Sequence, residues 1–177
     1  MKILTIFTDG VEELELIAPV DLCRRAGIEV VMCGLDKTYA TSSHNITISN
    51  LLKFENINLD EFDALFIPGG PHYKIMESNE KVLETIKYFY ENNKYLIGIC
   101  AAPTIFGHLG LLKNKNYTCF TSMDEDFGGT YIDEHVVVDL PFITAKSAAS
   151  AIGLGYSIVG NLLSNESLKK LKKSVFD

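Results

Sequence analysis

The stretch Tyr95-Leu96-Ile97-Gly98-Ile99-Cys100-Ala101-Ala102-Pro103 constrains the fold most. An apolar run stops at a cysteine, small residues and a proline follow, and a helical pattern resumes from Thr104 to Leu109. A strand that ends in so crowded a turn and continues as a helix delivers a side chain to the edge of a sheet. The spacing resembles a nucleophile elbow, with Gly98 two residues before Cys100 and Ala102 where a second glycine would stand. Cys100 would then sit at a helix N-terminus, where the dipole and free amides lower a thiol pKa.

The rest of the chain supplies a parallel sheet for that strand. Lys2 to Thr8 reads as a buried strand stopped by Asp9-Gly10. Glu12 to Ala26 reads as a helix with Leu14, Ile17, Ala18, Leu22 and Ala26 inward, loosened or kinked at Pro19 and ended by Gly27. Ile28 to Leu35 is a second strand, and strand-helix-strand with short joins indicates parallel pairing. Tyr39 to Ser49 suggests an edge hairpin. Ala64 to Ile67 is a third short strand ended by Pro68-Gly69-Gly70-Pro71, and Asn79 to Asn92 is a helix with Val82, Ile86 and Phe89 inward, extended by a turn from Tyr73 to Glu77. Beyond residue 112, Tyr117 to Thr121 reads as a strand and Asp124 to Tyr131 as a loop. Val136 to Asp139 and Phe142 to Ala145 read as two strands around Leu140-Pro141, and Ala148 to Leu163 as a helix with Ile152, Gly155, Tyr156 and Val159 available for packing. Ser164 caps a last helix from Glu166 to Lys173. The expected architecture is a single α/β domain over residues 1–177: a three-layer sandwich with helices on both faces of a mostly parallel sheet.

Charge and cysteine usage exclude several classes. The formal net charge of -7 argues against nucleic acid as a partner, because phosphate binding needs concentrated Lys and Arg. The one basic cluster, Lys169-Lys170 with Lys172-Lys173, reads as a solvated helix face. The apolar run at the N-terminus, Ile3 to Phe7, is too short for a signal peptide or a membrane span. The expected setting is a reducing cytoplasm without membrane attachment. Cys23, Cys33, Cys100 and Cys119 form no C-x-x-C motif, and all but Cys100 lie in apolar patterns as small core residues.

Three segments should meet beyond the strand ends, where open parallel sheets bind ligands: Asp9 to Glu15, Pro68 to Tyr73 and Cys100 to Pro103. The Gly69-Gly70 pair can turn backbone amides toward a ligand, and the Ala101 amide is a natural oxyanion donor. Among Glu12, Glu13 and Glu15, at least one should point toward the strand ends. A carboxylic acid beside a thiolate would be held protonated by like-charge repulsion and could donate a hydrogen bond. A Cys-His hydrolase needs an imidazole within reach of the thiol. His72, after the glycine turn, and His44, on the edge hairpin, can approach, whereas His108 and His135 are badly placed. No spacing suggests a metal site.

The chain resembles the ThiJ/PfpI superfamily, in particular the branch of the Parkinson's-disease-associated protein deglycase and its bacterial relatives. The resemblance is carried by Asp9-Gly10-Val11-Glu12-Glu13-Leu14-Glu15, Pro19-Val20-Asp21 with Arg24-Arg25-Ala26-Gly27, Pro68-Gly69-Gly70, and Ile99-Cys100-Ala101-Ala102-Pro103-Thr104. It implies a flavodoxin-like sandwich, a homodimer and no metal or organic cofactor. It implies Cys100 as the reactive cysteine, Glu15 as a protonated partner of the thiol, and the backbone of Gly70 and Ala101 as oxyanion donors. His44, His72 and Lys146 are possible pocket residues.

Members of the family are described as glutathione-independent glyoxalases, as deglycases of early glycation adducts, as redox-responsive chaperones and, in another branch, as peptidases. This chain departs from many relatives at Thr144-Ala145-Lys146-Ser147-Ala148-Ala149-Ser150, where they carry Thr-Ser-Arg-Gly-Pro-Gly-Thr. His44 stands where relatives often have arginine. Ala101 replaces the histidine that follows the cysteine in the peptidase branch, and Phe120 takes the place of a histidine found in some members. These departures argue against a preformed Cys-His pair and leave the Cys100–Glu15 pair intact. Three readings stay open: a cysteine-dependent glyoxalase or deglycase acting on a small carbonyl substrate, a stress protein that senses oxidants through Cys100, and a cysteine amidase or peptidase.

Overall fold

Side chains that alternate along a strand fill opposite faces of its sheet, and this chain has an apolar layer ready on each side. The computed structural model describes residues 1–177, the side chain of Asn56 excepted. On β1 (Lys2–Phe7), Ile3 and Phe7 join one apolar cluster, whereas Leu4 and Ile6 join the other. The pattern repeats on β6 (Ala64–Ile67), where Ala64 and Phe66 face one way and Leu65 and Ile67 the other, and on β7 (Tyr95–Ile99), where Ile97 and Ile99 oppose Leu96. Strands buried on both faces read as continuous apolar runs, which is why these were visible in the sequence.

Helices cover both faces. The first layer holds α1 (Glu13–Arg25), through Leu16, Val20 and Cys23, and the later helices α5 (Ala151–Leu162) and α6 (Asn165–Ser174). The second holds α2 (Tyr73–Ser78), α3 (Glu80–Glu91) and α4 (Ala102–His108). The remaining strands are β2 (Glu29–Gly34), β3 (Tyr39–Thr41), β4 (Thr47–Ser49), β5 (Leu52–Lys53), β8 (Asn116–Tyr117), β9 (Thr130–Tyr131), β10 (Val136–Asp139) and β11 (Phe142–Ala145). The main sheet runs β10-β11-β7-β6-β1-β2-β5 and is parallel except for the β10–β11 hairpin. This is the expected three-layer α/β sandwich of flavodoxin-like type. Strand order reverses at β1, with β2 on one side and β6 on the other, so the crevice above β1, β6 and β7 is the natural place for a ligand.

Several local expectations need correction. On α1, Leu14 and Ile17 are 51% and 44% exposed, and the inward face is Glu15, Leu16, Pro19, Val20, Leu22 and Cys23. The helix is turned so that a carboxylate, not a leucine, enters the crevice. The helix continues through Pro19, whose missing N–H would otherwise bond the carbonyl of Glu15. On α5, Ile152 is exposed, while Gly155 and Val159 are buried. Of Tyr117 to Thr121 only the first residue is strand, paired through β8 with β9, which in turn lies inside the segment expected to be a loop. The Thr118 amide bonds the Thr144 hydroxyl at 3.0 Å instead of a ladder carbonyl, and the Phe120 amide turns back to the Cys100 carbonyl at 2.8 Å. The short strand β5 at the sheet edge had no signal in the sequence.

Candidate active site

The end of β7 builds the elbow. Cys100 adopts φ 62, a left-handed conformation that costs a non-glycine residue energy and here swings its side chain out of the strand line. The turn is fixed from both sides: the Cys100 amide bonds the Ala145 carbonyl on β11 at 2.9 Å, and its carbonyl receives the Phe120 amide. Ala101 is the N-cap of α4, Pro103 occupies the first turn where no amide partner is required, and the Thr104 hydroxyl bonds the Ala101 carbonyl at 2.7 Å.

The loop after β6 lies against the start of α1. The Glu12 amide bonds the Gly69 carbonyl at 2.9 Å, and the Glu12 carboxylate caps the helix by accepting from the Glu15 amide at 2.7 Å. Glycine is required at both positions of the pair. A Cβ on Gly69 would lie 2.2 Å from Glu15 Oε2 and 2.6 Å from Cys100 Cβ. One on Gly70, at φ +103, would lie 2.4 Å from the Glu12 amide nitrogen. Glu15 and Cys100 therefore converge on the same bare backbone.

Glu15 is 1% exposed. Burial raises its pKa to about 7, opposed by the adjacent Cys100 thiol and the Gly69 amide and helped by the Glu12 charge. Its Oε2 meets no partner at hydrogen-bonding geometry among the described residues, so this oxygen is free to hold or pass a proton. Cys100 is partly exposed. The elbow alone predicts a lowered thiol, but burial and then the Glu15 charge push it up to about 12, while the amides of Ala101 and Gly70 pull in the other direction. The two groups behave as one acid: a first proton leaves the pair near neutrality, and the second is held far above it.

The other expected residues are placed as follows. His72 is 1% exposed, and its Nε2 lies 3.0 Å from the Pro68 carbonyl oxygen, beside the glycine turn. Burial holds its pKa down at about 4, and Nδ1 is buried without a partner. His44 is brought in by the β3–β4 hairpin, which is bound to the loop after β1 through Gly10 N to Thr41 O at 2.8 Å and Ser43 N to Val11 O at 2.8 Å. Its Nδ1 pairs with Glu13 at 3.0 Å and lies 3.9 Å from Glu12. These three residues offer ligand atoms within 4.8 Å of one another and are the described residues closest to a metal-binding arrangement; Glu12 Oε2 is already committed to the helix cap. Lys146 pairs with Asp133 on the surface. Neither His44 nor His72 makes a hydrogen bond to Cys100 among the described residues, whereas Glu15 and Cys100 both lie against Gly69. His108 sits between Glu77 and Glu125, and His135 Nδ1 lies 3.0 Å from the Ser150 hydroxyl. The helix cap of Glu12 was not foreseen; its signal was the acid three residues before Glu15.

An open α/β sheet with a strained cysteine on the turn into a helix, beside a buried carboxyl, defines a class of elbow proteins. Residues 1–161 match the DJ-1/PfpI family, and the chain belongs to it. Deglycase TK1284 of Thermococcus kodakarensis is 34% identical over 149 residues, 82% of this chain and 90% of its own. Deglycase PfpI of Pyrococcus furiosus is 32% identical with the same coverage. Protein dj-1beta of Drosophila melanogaster is 28% identical over 177 residues. The crystal structure of Drosophila DJ-1beta superposes with a TM-score of 0.91 at 27% identity, covering 99% of this chain and 97% of that one.

Proposed function

We propose that the chain is a cysteine-dependent enzyme that acts on small reactive dicarbonyls, or on the adducts they form with amines and thiols. The observation that carries this reading is the convergence of Cys100 and the buried Glu15 carboxyl on one glycine: a Cβ on Gly69 would lie 2.6 Å from Cys100 Cβ and 2.2 Å from Glu15 Oε2, and burial raises Glu15 to about 7. The names of the relatives from Thermococcus and Pyrococcus support the deglycase side of it.

With methylglyoxal, the Cys100 sulfur adds to the aldehyde carbon and the thiol proton ends on the aldehyde oxygen, giving a hemithioacetal. The Gly70 and Ala101 amides stabilise the developing oxyanion. Glu15, as carboxylate, takes the proton from the former aldehyde carbon to give an enediol and returns it to the neighbouring carbon, while the hydroxyl proton passes from the former aldehyde oxygen to the former ketone oxygen, leaving a lactoyl thioester. The former aldehyde carbon is thereby oxidised and its neighbour reduced, within one molecule. Water then cleaves the thioester, releasing lactate and restoring the thiol. No external oxidant or cofactor enters. Lactate formed from methylglyoxal is the assay, with wild type beside Cys100→Ser; equal rates from the two would overturn the reading.

A second reading rests on exposure. Cys23, Cys33 and Cys119 are buried, and Cys100 alone among the four is partly exposed. Cys100 is then the site that peroxide oxidises first, consistent with a stress-response role. Peptide mass spectrometry after mild peroxide tests it, and equal oxidation of all four cysteines would remove it. The absence of a hydrogen bond from His44 or His72 to Cys100 among the described residues supports the carbonyl reading over the amidase or peptidase one. The homodimer expected from the resemblance is retained as part of the proposal, supported by Leu14 and Ile17 on the outer face of α1.

A further inference from the structure

Two peptides flank Cys100, and both are held. The one before it is fixed where the Cys100 amide bonds the Ala145 carbonyl on β11 at 2.9 Å. The one after it is fixed where the Cys100 carbonyl accepts from the Phe120 amide at 2.8 Å. Setting both peptide planes sets the two dihedrals between them, and so keeps Cys100 in the left-handed turn at φ 62. The second peptide also carries the Ala101 N–H, so the Phe120 bond orients that amide too. Ala145 belongs to a strand of the main sheet, but Phe120 lies outside any strand or helix and needs an anchor of its own.

That anchor is a hydroxyl. Thr144 follows Phe142 by two residues on β11, so its side chain leaves the same face of the sheet. Its Oγ1 accepts from the Thr118 amide at 3.0 Å and donates to the Val137 carbonyl at 3.4 Å, which uses both of its roles. The Thr118 hydroxyl donates to the Glu134 carbonyl at 3.1 Å. Both threonines are fully buried, and together they pin the chain two residues before Phe120. Packing alone would favour valine at 144, which has the same shape. Valine would leave the buried Thr118 amide without this acceptor.

We propose that Thr144 is a positioning residue: its hydroxyl holds the segment from Thr118 to Phe120, and through the Phe120 amide this keeps Cys100 in its turn beside Glu15. This rests on the reading of Cys100 as the reacting group and concerns what holds it against its carboxyl partner. Thr144→Ser retains the hydroxyl, and Thr144→Val deletes it at constant shape.

The experiment asks how strongly Cys100 senses Glu15. Iodoacetamide alkylation of Cys100 is followed against pH, with and without Glu15→Gln, in the wild-type, Thr144→Ser and Thr144→Val backgrounds. Removing the carboxylate should speed alkylation about tenfold at neutral pH and lower the inflection by about one pH unit in the first two backgrounds. In Thr144→Val the change should be less than about twofold, because the thiol no longer sits beside the carboxyl. An equal response in all three backgrounds, or Thr144→Ser behaving as Thr144→Val, would overturn the proposal. No response in wild type would remove the Cys100–Glu15 pair and the proposal with it. If Thr144→Val does not fold, amide hydrogen exchange in the wild type decides. Equal opening free energies for the Thr118 and Phe120 amides support a single brace, and unequal ones contradict it. Alkylation does not depend on turnover, so wild type that makes no lactate would remove the dicarbonyl reading and leave this test standing.

Discussion

Two buried titratable residues pull the stability of this protein in opposite directions as pH changes. Glu15 has its pKa raised in the fold, from 4.5 to about 7. Its contribution is complete below pH 4.5 and is lost as pH rises through about 7, a swing of about 3 kcal/mol. His72 has its pKa lowered, from 6.5 to about 4. Its contribution is complete above pH 6.5 and is lost as pH falls through about 4, again about 3 kcal/mol. The two nearly cancel between pH 4.5 and 6.5. Urea midpoints of Glu15→Gln should therefore rise with pH over that window relative to wild type, and those of His72→Gln should fall. Parallel curves for all three would show that neither group is held as described. Gly69→Ala makes a purely steric prediction. The new Cβ displaces both Glu15 and Cys100, costing about 1–3 kcal/mol in the midpoint and abolishing alkylation selectivity for Cys100.

At the scale of elements, the turns were more legible than the faces. The elbow at Cys100 and the break at Gly69-Gly70 were visible because crowding and positive φ demand small residues, and those demands are local. The inward face of α1 was misread because apolar periodicity assigns Leu14 and Ile17 to the core, whereas the crevice takes Glu15 and rotates the helix accordingly. No hydrophobic pattern marks a carboxylate for burial; only its chemistry with Cys100 explains it. The segment after Tyr117 was misread for a related reason. Its β-branched and aromatic residues suit a strand, yet its amides are spent on the Thr144 hydroxyl and the Cys100 carbonyl, so it braces the elbow instead of extending the sheet. The helix cap gives an element-scale prediction. Glu12→Ala removes the acceptor for the Glu15 amide and should lower stability by about 1 kcal/mol, while removing a nearby charge that raises Glu15. The rising limb of the rate against pH should accordingly move to lower pH, which a plain loss of stability would not produce.

At the scale of the whole molecule, the site lies beyond the carboxyl ends of the central strands, and the apolar surface left on α1 lies beside a cavity of about 560 Å³ lined by Ile17, Val20, Val30, Met32 and Leu52, among others. The proposed homodimer would cover this face. Ile17→Asp should shift the sedimentation coefficient to that of a monomer while leaving Cys100 alkylation unchanged; an unchanged coefficient would place the interface elsewhere or remove it. The central claim concerns covalent chemistry at one atom. Mixing the protein with methylglyoxal, quenching in acid and mapping peptides by mass tests it most directly. The account predicts a carbonyl-derived adduct on the Cys100 peptide alone, absent from Cys100→Ser and from the peptides of Cys23, Cys33 and Cys119. Lactate produced at the wild-type rate with no adduct on Cys100, or an adduct spread across the other cysteines, would contradict it.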